Sequence, residues 1–94
     1  MSAIESKSED NKKQEDPEVL ARAWDWHVRR KVAWSADVSE NVLDSLARDS
    51  VQWVREAVAG NARTSASALA RLAEDSSGFV RAAVALNPRT PSEI

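Results

Sequence analysis

The fold is decided by two matching stretches, Val54-Arg55-Glu56-Ala57-Val58-Ala59 and Val80-Arg81-Ala82-Ala83-Val84-Ala85, which are separated by a 26-residue step. In each stretch two valines stand one helical turn apart and an alanine follows, which predicts a helix with one apolar side. A third copy, Val28-Arg29-Arg30-Lys31-Val32-Ala33, precedes the first by the same step. This constant step indicates a tandem helical repeat.

A second apolar stripe follows the first within each unit. Its members recur with i, i+3, i+4 spacing, which predicts another short helix: Leu43, Leu46, Ala47 and, one unit later, Leu69, Leu72, Ala73. A single helix pair cannot bury its apolar side alone, so neighbouring units must stack. We therefore expect an all-α helical solenoid of about three 26-residue, two-helix repeats, curving to the right or to the left.

The predicted repeat domain covers residues 17–94. It divides into a partial first unit 17–27, complete units 28–53 and 54–79, and an incomplete last unit 80–94. The composition of residues 1–16 predicts a disordered charged tail, because residues 2–16 hold eight charged side chains and only one sizeable apolar residue, Ile4. Such a segment cannot offset its own ordering entropy.

Helix ends can also be predicted. The first helix of the middle unit is expected to run from about Ser50 to Gly60, with Asp49 or Ser50 as its cap and Gln52 placed as in a capping box. Asn61 and Asn87 suit the helix exits. The run Thr90-Pro91-Ser92-Glu93 predicts another helix start.

The run Val80-Arg81-Ala82-Ala83-Val84-Ala85-Leu86-Asn87-Pro88-Arg89-Thr90-Pro91 resembles the unit of the leucine-rich repeat variant family, and Leu69-Ala70-Arg71-Leu72-Ala73-Glu74-Asp75 resembles its second half. The resemblance covers residues 17–94 and implies alternating α- and 3₁₀-helices in a right-handed superhelix without strands. In the middle unit Ala62 and Ser65 replace the prolines and permit an ordinary α-helical start. Some relatives bind an iron–sulfur cluster through cysteines, but this chain has no Cys.

Basic residues form the first candidate site. Arg29, Arg55 and Arg81 share one repeat position and could form a ladder that touches phosphates or an acidic partner. Alternatively, each Arg packs over the next unit and pairs with the recurring Asp49 and Asp75. The favoured interpretation is structural, because these arginines belong to the repeat pattern itself. Two further basic residues fall outside that pattern and are better functional candidates, namely Arg30 and Lys31.

Aromatic residues form the second candidate site. Trp24, Trp26 and Trp34 crowd the first unit, where they could cap the exposed end of the solenoid or form a partner-binding patch. Trp53 and Phe79 share a repeat position with His27 and are expected in the core between units. The lone His27 is interpreted as a packing residue.

Several classes of function are disfavoured. There is no glycine-rich phosphate loop, nucleophile elbow or zinc-ligand spacing, so we expect no enzyme, no metal and no cofactor. No apolar run could span a bilayer and no signal peptide is visible, which favours a cytoplasmic protein. Residues 17–94 hold ten basic and ten acidic side chains, so no net field attracts nucleic acid.

The sequence thus favours a protein-interaction module or adaptor with a protein partner. Nucleic-acid binding through the Arg ladder is the second hypothesis. The third is self-association through the incomplete last unit, where Val80, Val84 and Ala85 would lack a covering helix.

Overall fold

The computed structural model describes residues 16–91, and within that range it is built from α-helices alone. The helices are α1 (Pro17–Leu20), α2 (Trp26–Trp34), α3 (Glu40–Leu46), α4 (Gln52–Gly60), α5 (Ala66–Leu72) and α6 (Gly78–Leu86). The all-helical prediction is confirmed. The nine-residue helices α2, α4 and α6 follow one another at the 26-residue step, and so do the seven-residue helices α3 and α5.

Four helices begin with a side-chain cap. The side-chain oxygens of Asp25, Ser39 and Ser65 accept hydrogen bonds from backbone N–H groups in the first turns of α2, α3 and α5, at 3.0, 3.2 and 3.1 Å. Asp16, the last residue of the predicted tail, caps α1 by accepting from the N–H of Glu18 at 2.9 Å. These bonds satisfy amides that have no partner within the helix.

Helix α4 begins later than predicted, at Gln52, and its capping differs from the prediction. Asp49 accepts from the N–H of Val51 at 2.9 Å, which fixes the turn before the helix and leaves the first residue, Gln52, without a capping-box role. Gln52 instead accepts a hydrogen bond from the hydroxyl of Ser77, at 2.6 Å. The start of α6 repeats this turn, because Asp75 accepts from the N–H of Ser77 at 2.9 Å.

The core lies between the three long helices and the two shorter ones. Helix α4 packs against α2 on one side and against α6 on the other. Ala33, Ala57 and Ala59 are fully buried, so the long helices approach closely with little side-chain volume between them. The remaining large buried side chains fill the space toward the short helices: Val38, Leu43, Val54, Val58, Leu69, Leu72, Val80 and Val84.

The short helices α3 and α5 are α-helical, which differs from the 3₁₀ conformation implied by the family resemblance. Each starts on a serine cap, which supports an ordinary α-helical first turn. The helix expected after Thr90 falls largely on residues 92–94, outside the described residues. The hydroxyl of Thr90 itself donates to the carbonyl of Val84 at 2.6 Å.

Asn61 and Asn87 end α4 and α6, as predicted, but with a second role that the sequence analysis missed. Their φ angles are −83° and −76°, so neither uses the left-handed conformation common at helix ends. Both are buried, and the side-chain amide of Asn61 donates to the carbonyls of Ala33 and Ser35, at 2.8 Å each. Asn87 repeats the arrangement one unit later, so each Asn ties the end of its helix to the backbone of the preceding unit.

Candidate functional site

The three tryptophans predicted as one patch lie apart. Trp24 precedes α2 and is 93% exposed. Trp26 is the first residue of α2, packs partly buried against the core and stacks on His27 with the ring centroids 3.8 Å apart. Trp34 is the last residue of α2, about 12 Å of helix axis away from Trp26. Only Trp26 is placed to cover the core at this end.

Trp34 belongs to a different surface, which joins the last residues of the three long helices. Trp34, Gly60 and Leu86 occupy the same repeat position on α2, α4 and α6. A Cβ atom on Gly60 would lie 3.7 Å from the Cη2 and Cζ3 atoms of Trp34, so the indole ring reaches over the glycine. The missing side chain leaves a groove of about 250 Å³, whose lining residues are Trp34, Glu56, Gly60, Ala83, Leu86 and Asn87.

An aromatic pair lies toward the other end of the same helices. Trp53 on α4 and Phe79 on α6 contact each other with ring centroids 5.3 Å apart and planes inclined by 50°. Trp53 is half-buried, whereas Phe79 is 60% exposed. The prediction that both lie in the core is therefore wrong for Phe79, and the half-buried Trp53 is not part of the buried core either, because their shared repeat position points along the surface.

These residues define one surface, which we call the outer face: Trp34, Trp53, Glu56, Gly60, Phe79 and Leu86. On a helix, residues i, i+3 and i+7 share one side. Trp53, Glu56 and Gly60 have this spacing on α4, and Phe79 and Leu86 are the counterparts of Trp53 and Gly60 on α6. Trp34 is 54% exposed and Leu86 85% exposed. The outer face thus exposes large apolar side chains on α2 and α6, with the half-buried Trp53 on α4 between them.

The predicted Arg ladder is largely neutralised within the chain. Arg29 binds Asp49 through two hydrogen bonds, Nε to Oδ2 at 2.6 Å and Nη2 to Oδ1 at 3.2 Å. Arg55 binds Asp75 in the same way, at 2.8 and 3.1 Å, and also donates to the carbonyl of Asp49 at 2.7 Å. Both arginine side chains are only 15% exposed. This geometry matches the structural alternative, in which the arginines pair with the recurring acids.

The carboxylate–guanidinium contacts shift the pKa of one acid, Asp75, and of one base, Arg29. Burial raises the pKa of Asp75, but the hydrogen bonds from Arg55 and from the N–H of Ser77 outweigh it and hold the pKa below its ordinary value. The pKa of Arg29 is raised, chiefly by its hydrogen bond to Asp49. Both groups are therefore charged in the folded protein at neutral pH.

Arg30, Lys31 and Arg81 do not extend the ladder. Arg30 is half-buried, and its Nε atom has no hydrogen-bond partner among residues 16–91. Lys31 is exposed beside an apolar pocket at the N-terminal end of the helix row. Arg81 is also exposed and donates to the backbone carbonyl of Asp75.

The last unit exposes less of its valines than expected. Val80 and Val84 are 0% and 2% exposed, so little of either side chain is open at this end of the helix row. Of the three residues predicted as an open surface, only Ala85 is exposed.

Sequence reasoning did not find Leu86, Phe79 or Gly60 as site residues, although a signal was present. The 26-residue step places Trp34, Gly60 and Leu86 at one repeat position. Two of these three are large apolar residues, which are uncommon at an exposed position. The sequence could not show which direction this position points. The burial pattern of the neighbouring helices supplies that direction.

Within residues 16–91 no group of three or more His, Asp or Glu side chains is arranged to hold a metal ion. In the same range no helix has the length and apolar character needed to cross a membrane. Comparisons with protein-family models, curated proteins and solved structures gave no match to this chain.

Proposed function

We propose that this chain is a non-catalytic protein-interaction module of the helical-repeat type. In this proposal the 26-residue units form a right-handed solenoid, similar to that of the leucine-rich repeat variant family, and the protein acts as a cytoplasmic adaptor. The outer face is its partner-binding surface. The observation that carries the proposal is the exposure of Trp34 on α2 and of Phe79 and Leu86 on α6, at 54%, 60% and 85%, on the two helices that flank α4.

Exposed apolar residues that stand singly are ordinary, but a group of them around a groove is typical of a contact surface. The groove beside Gly60 has room for one aliphatic or aromatic side chain of a partner. Glu56 supplies a carboxylate at its edge, which favours a basic residue next to that side chain. The expected partner segment therefore combines an apolar anchor with a neighbouring Lys or Arg.

Nucleic-acid binding is the weaker proposal. It depends on a ladder of positive charge, yet Arg29 and Arg55 are each bound to a carboxylate inside the chain. A binding mode driven by phosphate contacts would weaken steeply with salt. Binding through the outer face would depend mainly on apolar contact and should persist at high salt.

Affinity capture from a lysate of the source cells, with and without nuclease treatment, tests the proposal. Wild-type protein, a Trp34→Ala variant, a Leu86→Ser variant and a Trp24→Ala control are compared at physiological salt and at about 0.5 M salt. Trp24 is a matched control because it is 93% exposed and lies off the outer face. We expect a protein that the wild type and the control retain at both salt concentrations and that both outer-face variants lose.

Loss of all captured protein at high salt or after nuclease treatment would contradict the proposal and favour nucleic acid. Equal capture by the wild type and both outer-face variants would show that the partner binds elsewhere. Circular dichroism of each variant confirms that the helices remain folded, so that lost capture reports lost contact.

A further inference from the structure

A second surface lies on the side of α6 that faces away from α4. We call it the end face; it surrounds a pocket of about 130 Å³ lined by Ala73, Arg81, Val84, Ala85 and Thr90. The residues at these five positions recur unchanged one repeat earlier, as Ala47, Arg55, Val58, Ala59 and Thr64. In that earlier set the four uncharged residues are at most 4% exposed. In the end face Arg81 and Ala85 are exposed.

The buried set shows what such a surface binds. The segment 75–87 covers it and supplies three kinds of contact. Asp75 at its start gives Arg55 a carboxylate, and Asn87 at its end donates to the carbonyls of Ala59 and Asn61, at 2.7 and 2.9 Å. Between them, α6 packs directly against α4.

The end face has the same groups without these partners. Among residues 16–91 no carboxylate forms an ion pair with Arg81, and its only hydrogen bond in that range goes to a backbone carbonyl. In the same range no side-chain amide donates to the carbonyls of Ala85 or Asn87, the counterparts of Ala59 and Asn61. The end face therefore presents one cation, two backbone acceptors and a small apolar floor.

A second copy of this chain does not fit the end face in the same way. The N-terminal end departs from the repeat at the three positions that would make the contact, because Ala23 replaces the Asp, Lys31 replaces a buried Ala and Ser35 replaces the Asn. The counterpart of Lys31 in the middle unit is Ala57, which is fully buried. A lysine in that place would hold two helices apart, so the N-terminal end of a second copy does not match the end face.

We propose that the end face binds a helical segment of a partner protein that carries a carboxylate just before the helix and a side-chain amide just after it. The carboxylate binds Nε and Nη2 of Arg81 in the geometry of the Arg55–Asp75 pair. The amide donates to the carbonyls of Ala85 and Asn87. The end face shares no residue with the outer face, so this inference is independent of the proposed function.

The probe is an N-acetylated synthetic peptide with the sequence of residues 75–87. Within the chain this segment covers the equivalent surface of α4. The peptide is titrated into the full chain while NMR follows the arginine Nε–H signals and the alanine and threonine methyl signals. Isolated helices of this length are only marginally formed, so we expect a Kd on the order of 0.1–1 mM. Shifts should concentrate on Arg81, Ala85 and Thr90.

The controls distinguish binding through the ion pair from nonspecific binding. Arg81→Gln should raise the Kd of the peptide at least ten-fold. A peptide with Asn in place of its Asp should show the same rise in Kd, and combining the two changes should raise the Kd no further. Arg48→Gln, at an exposed arginine elsewhere, should leave the Kd unchanged.

The proposal is overturned if the peptide causes no shifts up to about five times the upper expected Kd, or if Arg81→Gln leaves the Kd unchanged. Shifts at Arg55 and Ala59 would also overturn it, because they would mean that the peptide displaces α6. A wild-type dimer in sedimentation that Arg81→Gln dissociates would overturn it in favour of a second copy.

Discussion

Replacing Asp75 with Asn tests the inter-helix ion pair most directly. The substitution keeps the size of the side chain and removes the charge that Arg55 binds. An Asn side chain has one oxygen, so at most one of the hydrogen bonds at 2.8 and 3.1 Å can persist. Its NH₂ group would then face a guanidinium N–H, which is also a donor.

The expected cost follows from burial. The side chains of Arg55 and Asp75 are only 15% and 9% exposed, so water replaces little of the lost interaction. One lost charge-assisted hydrogen bond costs about 1.5–3 kcal/mol, and removing one partner of a buried pair costs about 3–5 kcal/mol. Arg55 keeps its bond to the Asp49 carbonyl, which reduces the penalty. We expect a loss of about 2–4 kcal/mol in the free energy of unfolding.

Urea unfolding followed by circular dichroism measures this loss. In a chain of this size it corresponds to a fall in Tm on the order of 10–25 °C. Glu40→Gln is the matched control, because Glu40 pairs with Arg89 at 3.2 Å but both side chains are about half exposed, at 51% and 45%. A surface pair of this kind contributes about 0–1 kcal/mol. If Asp75→Asn cost no more than Glu40→Gln, the reasoning from burial would be refuted.

Three further predictions concern pH, the buried amide and the groove. The folded-state pKa of Asp75 lies below its ordinary value, so its contribution is complete above the unfolded pKa near 4 and is lost as pH falls through the folded pKa. Urea titrations should therefore show wild-type stability falling more steeply below about pH 4 than that of Asp75→Asn; equal slopes would contradict this. Asn61→Ala leaves two backbone carbonyls without their side-chain donor and should cost about 2–4 kcal/mol in guanidinium unfolding, whereas a loss below about 1 kcal/mol would show that these bonds matter little. Gly60→Ala should stabilise the chain by about 0.5–1 kcal/mol in calorimetry, because Gly60 is helical without a positive φ and the new methyl group meets Trp34 at an ordinary contact distance; a lower Tm would mean that the ring lies closer than described.

Much of the helical architecture was predictable because it depends on local patterns. The spacing of Val54 and Val58 indicates one side of a helix, and the 26-residue step fixes where the next helix begins. The pairing of Arg29 and Arg55 with recurring aspartates could be weighed from the sequence, since both members repeat. The start of α4 was less predictable, because Asp49 can bind the N–H of either the turn or the helix.

Surface position could not be predicted in the same way. Phe79 and Trp53 share a repeat position, but how deeply each is buried depends on which helices surround it. Leu86 is exposed because its position on α6 points outward, which spacing alone does not reveal. The cross-unit bonds of Asn87 require knowledge of where the preceding backbone lies, and a single sequence does not contain that distance.

The asparagine bonds have a consequence for how such a chain can change over time. Asn61 and Asn87 bind backbone carbonyls, a group that every residue type carries. Substitutions at Ala33 or Ala59 therefore alter the packing between helices without removing the acceptor. A duplicated 26-residue segment would bring its own donor and would find its acceptors already in place. Gene duplication could thus lengthen or shorten the protein without a new contact having to arise.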